Sequence, residues 1–101
     1  MTNLAKFQGV ATTVRTLKGN WGTTIIGTYH QTDVATVEGN KVHLYTGGYR
    51  TNTTKVRMNQ FANQFCDGAF SVYQRNYEWY VSIKGQEKPI LFCGNTCDFE
   101  I

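Results

Sequence analysis

Residues 53–65 read TTKVRMNQFANQF, and the triplet Asn-Gln-Phe occurs in this stretch twice, at 59–61 and again at 63–65. A four-residue repeat suits a helix. Met58, Phe61, Ala62 and Phe65 then stand at i, i+3, i+4 and i+7 and line one apolar stripe. Both phenylalanines are therefore expected in a core. The other side carries Arg57, Asn59, Gln60, Asn63 and Gln64, a ladder of amides facing outward, with Val56 exposed among them. Thr53 is read as the N-cap, because its hydroxyl can accept a hydrogen bond from an early helix amide; Thr51 and Asn52 are the alternatives. Cys66-Asp67-Gly68 stops the helix, with Gly68 near the position that favours left-handed backbone.

Strands are expected on both sides of this helix. Upstream, DVATVEGNKVHLYT (33–46) reads as a hairpin turning at Gly39-Asn40, where glycine in first place supplies positive φ. That register sets Val37 opposite Val42 and Ala35 opposite Leu44, and leaves Val34, Thr36, His43 and Tyr45 on the other face. TTIIGTYH (23–30) is a further β-branched strand. KFQGVATTVRTL (6–17) reads as an irregular edge strand, and KGNWG (18–22) as a turn. Downstream, AFSVYQRNYEWYVSI (69–83) reads as a second hairpin turning at Arg75-Asn76. Val72 would then face Trp79, and Phe70 would face Val81. After the loop KGQEKP, ILFC (90–93) is a last short strand, with Pro89 at its start. The simplest packing is an α+β domain over residues 1–101, an antiparallel sheet of about five strands against one central helix, a ββ-α-ββ core.

Composition narrows the function classes. The chain has 101 residues, 41% hydrophobic and 17% charged, which suits one folded domain and not a disordered tail. The formal charge of +3 permits nucleic acid or an acidic protein as partner and demands neither. No apolar run has the length of a membrane span, so no membrane partner is expected. The stretch MTNLAKFQGV lacks the apolar core of a signal peptide. Cys66, Cys93 and Cys97 make an odd number, which points to reduced thiols rather than a disulfide framework.

Several stretches together carry a resemblance. His30, Thr32 and Val34 form a His-x-Thr-x-Val strand. Gly47, Gly48, Tyr49, Arg50 and Thr51 form a Gly-Gly-aromatic-Arg-Thr loop. Thr53 to Gln60 follow a Thr-Thr-Lys-x-Arg-Met-Asn-Gln pattern with Val56 at the open position. Val72, Tyr73, Gln74, Trp79, Tyr80 and Val81 complete it. Across residues 28–83 the chain thus resembles a family of small tailed-bacteriophage proteins. The resemblance implies a phage gene product made inside the bacterium, in the host cytoplasm, and implies no particular activity.

The loop GGYRTNTTKVR (47–57) is the strongest site candidate. Gly47 and Gly48 let backbone amides approach a ligand, and a helix N-terminus offers free N–H groups with partial positive charge. Arg50, Lys55 and Arg57 add charge, and Thr51, Thr53 and Thr54 add hydroxyls, which is what a phosphate or carboxylate needs. The plain alternative is a turn, a cap and a solvated basic helix end. It is no Walker loop, because the Gly-x-x-x-x-Gly-Lys-Ser/Thr spacing is missing. The amides Asn59, Gln60, Asn63 and Gln64 suit base edges or a protein surface, or a merely solvated face. Tyr45, Tyr49, Tyr73, Tyr77 and Tyr80 suit stacking on single-stranded bases or protein contact, or the packing of a second sheet face.

His30 and His43 are read on strands, where pairing with Asp33 or Glu78 would make a catalytic dyad; structural histidines are the simpler reading. Cys-x-x-x-Cys at 93–97 is a weak zinc signal, since a structural site needs four ligands. No catalytic residue, metal or cofactor is therefore expected. The expected function is that of a non-enzymatic phage accessory protein. It would bind and inhibit a host nucleic-acid-handling or defence complex, in the manner of anti-CRISPR proteins. The alternative is direct DNA or RNA binding through the basic helix start and amide face. Homodimerisation through that face or an open sheet edge would compete with either partner.

Overall fold

The computed structural model describes residues 12–19, 22–48, 51–92 and 94–101. The expected turn at Asn20-Trp21 and the first part of the expected edge strand lie outside these residues. A large antiparallel sheet takes the order β1-β2-β3-β4-β8. Its strands are β1 (Thr12–Gly19), β2 (Gly22–Tyr29), β3 (Thr32–Glu38), β4 (Lys41–Tyr45) and β8 (Thr96–Glu100). A small sheet takes the order β5-β6-β7, from β5 (Phe70–Arg75), β6 (Glu78–Ile83) and β7 (Ile90–Leu91). The helix α1 (Asn52–Phe65) packs against β2, β3 and β5 and so touches both sheets. The fold is α+β with a five-stranded antiparallel sheet on one helix, as expected. The correction is that the second hairpin builds a sheet of its own.

The first hairpin has the expected register, with Ala35 opposite Leu44 and Val37 opposite Val42. Gly39 takes φ +62° at the turn. Val34 departs from its expected outward position. Ala35 faces Gly27 while Asp33 faces Thr28, so Val34 is an extra residue on β3, a β-bulge. The bulge brings it to the core side, where it is buried beside Ala35.

The second hairpin turns one residue later than expected. Asn76 and Tyr77 occupy the turn with φ +53° and +68°, the pair of positive angles a type I′ turn requires. Val72 therefore faces Val81, and Gln74 faces Trp79. Moving the turn by one residue shifts the register by two, and a shift of two keeps every side chain on its face. Phe70, Val72, Trp79 and Val81 are thus buried despite the changed pairing. The expected strand ILFC shrinks to Ile90–Leu91. Phe92 lies past it and is fully buried, edge-on to Trp79 at 5.6 Å. Strand β8 was not anticipated, although its alternation is readable: Cys97 and Phe99 are buried between exposed Thr96, Asp98 and Glu100.

The helix buries Met58, Phe61 and Ala62, with Phe65 half-buried behind them. Covering a side chain the size of Phe61 stabilises by about 2–3 kcal/mol. The N-cap is Thr51 rather than Thr53, and its Oγ1 accepts from the Thr54 amide at 3.2 Å. At the other end the Ala62 carbonyl accepts from Cys66 N and Gly68 N. Gly68 has φ +68° there, as expected.

The amide ladder does not face outward as a whole. Asn59 Nδ2 donates to the Val72 carbonyl at 2.9 Å, and Asn59 Oδ1 accepts from the Val72 amide at 2.7 Å. β5 is an edge strand, so this one side chain does there what a neighbouring strand would do. Gln60 is buried, with Oε1 accepting from Arg57 Nη1 at 3.0 Å. Val56 is half-buried. Only Asn63 and Gln64 of the four amides are exposed.

Asn59→Ala is expected to lower unfolding free energy by about 2–3 kcal/mol, because both Val72 backbone groups lose a partner. Asn63→Ala, in the equivalent place of the repeat but exposed, is expected to cost less, because water can replace a lost partner there. Urea denaturation of the two variants measures the difference.

Candidate functional site

The loop after β4 is held at its base. Thr46 is buried; its amide donates to the Asn95 carbonyl at 2.8 Å, and its Oγ1 donates to Asn95 Oδ1 at 2.9 Å. The same Oγ1 accepts from Gly48 N at 3.1 Å. Gly47 adopts φ +67°, and a Cβ there would lie 2.8 Å from Thr32 Cγ2 and Oγ1. Glycine at 47 is thus required twice over, by backbone angle and by the closeness of β3.

This packing brings three segments around one cleft of about 780 Å³. Thr51 and Thr54 line it from the first turn of α1, and Thr46 lines it from the loop base. Tyr29, His30, Gln31 and Thr32 supply the wall opposite, from the β2–β3 turn. His30 is in that turn with φ +59°, not on a strand as expected. The Oγ1 atoms of Thr51 and Thr54 are hydrogen-bonded to each other at 3.0 Å, which stiffens the helix end.

The cleft opens at the positive end of a 14-residue helix that carries no acidic residue in its first turn. Free amides and an uncompensated helix dipole favour an anion there. The Arg57 guanidinium lies 5.5 Å from the Tyr29 ring, adding a cation behind the cleft wall. Arg57 Nε is buried and makes no hydrogen bond. Hydroxyl, imidazole and amide groups around helix N–H donors are the chemistry that takes a carboxylate or a phosphate oxygen.

The expected site residues do not form one surface. Thr51 lines the cleft, Gly47 and Gly48 follow the lining residue Thr46 in the loop without lining it themselves, and Tyr49 and Arg50 lie outside the described residues. Lys55 turns away: its Nζ donates to Gln74 Oε1 at 3.1 Å and sits 5.5 Å from the Trp79 ring. Arg57 leans on Tyr29, Asn59 holds β5, Gln60 is buried, and Asn63 and Gln64 are exposed at the far end of the helix. His30, Gln31 and Thr32 were missed as cleft residues. The available signal was His30, one of the residue types enriched at positive φ, at the junction of two β-branched runs.

His43 pairs through Nδ1 with Asp98 Oδ1, across β4 and β8, and not with Asp33 or Glu78. Asp33 instead accepts from Arg15 Nη2 at 2.8 Å and Thr28 Oγ1 at 2.7 Å. Glu78 lies at the tip of the second hairpin, opposite Arg75. The His43–Asp98 pair borders a shallow groove of about 390 Å³ on the exposed face of the large sheet. Cys66 and Cys97 are free and buried. Burial, then the charge of Asp67, pushes the Cys66 thiol up to about 11. Burial and Asp98 likewise raise Cys97. A raised thiol stays protonated at neutral pH, which makes it a poor nucleophile. Among the described residues no three His, Cys, Asp or Glu side chains gather as a metal set, and Cys93 is outside them. No helix of the described residues is long and apolar enough to cross a membrane.

A family model described as Kyanoviridae Gp96 protein matches residues 1–99 of this chain. No curated protein and no solved structure matches it.

Gly47→Ala is expected to destabilise more than Gly48→Ala. Both residues have positive φ, but only at Gly47 does a methyl meet a neighbour within 4 Å. The left-handed backbone alone costs about 1–2 kcal/mol, so Gly48→Ala should lose that much and Gly47→Ala more. Thermal denaturation of the two variants measures the gap.

Proposed function

The chain belongs to the Kyanoviridae Gp96 family of small phage proteins, and from that premise we propose a non-catalytic accessory protein acting in the infected bacterial cell. It binds a host complex that handles nucleic acid or defends the cell, and it inhibits that complex by occupying a contact surface, in the manner of anti-CRISPR proteins. The observation that carries this reading is the cleft at the start of α1. A nucleoprotein complex presents phosphates and acidic side chains, and helix amides with a nearby cation receive either. The modest net charge of +3 agrees with an anionic partner. The scaffold also supports a binding role. The cleft is framed by the Thr46–Asn95 bonds, the Thr51 cap and the closely packed Gly47, so little ordering cost attends docking.

Direct binding of DNA or RNA uses the same chemistry, with a phosphate in the cleft. The two readings part in one experiment. Tagged protein is used to capture partners from host lysate, with and without nuclease. A protein partner that survives nuclease supports the inhibitor reading. Nucleic acid that vanishes with nuclease and leaves no protein supports direct binding, and its affinity should fall steeply with salt.

A variant carrying Gln31→Glu and Asn52→Asp tests the cleft itself. Both positions are exposed, and an acid at Asn52 stands in the first helical turn, where it stabilises by about 0.3–1 kcal/mol. The variant is expected to melt no lower than the parent and to lose at least about tenfold in capture of either partner, since about 1.4 kcal/mol of repulsion is a tenfold change. Undiminished capture would rule the cleft out as the contact.

A further inference from the structure

The tip of the second hairpin holds a residue that works against the fold. Asn76 and Tyr77 make the turn between β5 and β6, and Tyr77 takes φ +68°. Among the described residues, four other than glycine have positive φ. His30, Asp67 and Asn76 are types enriched there, and Tyr77 is not. Elsewhere the chain places glycine at such angles: Gly39 in the first hairpin at φ +62°, and Gly68 after α1 at φ +68°. A bulky side chain in this region is strained. Tyr77 is also 92% exposed, so packing within its own chain does not offset the strain.

The tip is well presented. Arg75, Asn76, Tyr77 and Glu78 are all exposed. Below them the hairpin is held by the Asn59 bonds to Val72 and by Tyr73 stacked on Tyr80 at 5.6 Å. A ring carried on a fixed hairpin loses little freedom when it docks.

Charge selects the occupant. Arg75 and Glu78 stand opposite each other in the register, so the tip has no net charge. Lys55, on the helix side, is held by Gln74 and the Trp79 ring. Nucleic acid is bound chiefly by neutralising its phosphates, and a tip whose cation faces a carboxylate does this poorly. Protein contacts are different: tyrosine and arginine are enriched in them, and an aromatic ring in a pocket supplies much of the affinity.

We propose that Tyr77 is an anchor whose ring enters an apolar pocket on the host protein, with Arg75, Asn76 and Glu78 meeting the polar rim of that pocket. The inference rests on the inhibitor reading and deepens it. It adds a contact outside the cleft, whose lining includes no residue of this hairpin, and it makes the centre of that contact apolar rather than anionic.

The test compares the whole chain with Tyr77→Gly and Tyr77→Phe. Tyr77→Gly is expected to melt no lower than the parent, because glycine accepts the turn angle. Its affinity for the protein that the parent captures from nuclease-treated host lysate, purified and titrated, is expected to fall at least about tenfold, as truncating an anchor does. Tyr77→Phe keeps the ring and is expected to retain most of the affinity. A lower melting temperature for Tyr77→Gly would overturn the proposal, since the ring would then serve the fold. Parent-like affinity of Tyr77→Gly would overturn it and leave the inhibitor reading standing. Capture of nucleic acid alone, lost in Tyr77→Gly, would overturn both and assign the ring to base stacking. A parent that captures no protein after nuclease would overturn the inhibitor reading and this contact with it.

Discussion

The double hydrogen bond between Asn59 and the Val72 backbone is the constraint on which the arrangement rests. A buried sheet edge with unpaired amides and carbonyls is costly. The usual remedy is another strand. Here a helix side chain with one donor and one acceptor takes the strand's place, and that fixes the helix at one height and one distance along β5. Lys55 adds a second tie through Gln74 one strand residue pair further on. Arg57 reaches the other way, over Tyr29 of the large sheet. The polar side of α1 from Lys55 to Asn59 is therefore a connector between sheets, which explains asparagine at 59 where a solvated helix would carry lysine or glutamate. Beneath it, Met58 and Phe61 fill the core that Leu44 and Trp79 close from the two sheets.

Much of this was legible in the residues, and the misses have definite causes. The spacing of Met58, Phe61, Ala62 and Phe65 located the helix. The alternation in 33–46 located the first hairpin and its register. In the second hairpin the inward set was right and the pairing wrong, because alternation has period two and cannot distinguish registers that differ by two. The type I′ turn at Asn76-Tyr77 decided it, and a tyrosine at positive φ carries no warning in composition. The inward turn of Val34 comes from a bulge, which depends on the partner strand and not on β3 alone. β8 was hidden because cysteine and phenylalanine alternating with Asp and Glu over five residues is a brief signal.

The site divided in the same way. Gly47, Gly48 and Thr51 could be read from a glycine pair before a capped helix. The opposite wall, His30 to Thr32, comes from a turn 16 residues before the loop (Gln31 to Gly47), and only the sheet brings the two together. Asn59 and Gln60 shared residue type and periodicity with Asn63 and Gln64. What separated them is a strand edge on one side of the helix, a tertiary fact with no local trace except the low helix propensity of asparagine.

The place of β8 in the large sheet has a consequence in time. It pairs with β4, and the contact between His43 and Asp98 spans 55 positions of chain. A ribosome adding about 5–20 residues per second needs roughly 3–11 s to cover that distance. Through that interval the β4 edge stands open while the helix and the second hairpin emerge. The nascent chain thus passes through a stage in which its largest sheet lacks its last member. That is the stage at which a chaperone, or a neighbouring nascent copy on the same messenger, has access to a surface the finished molecule conceals.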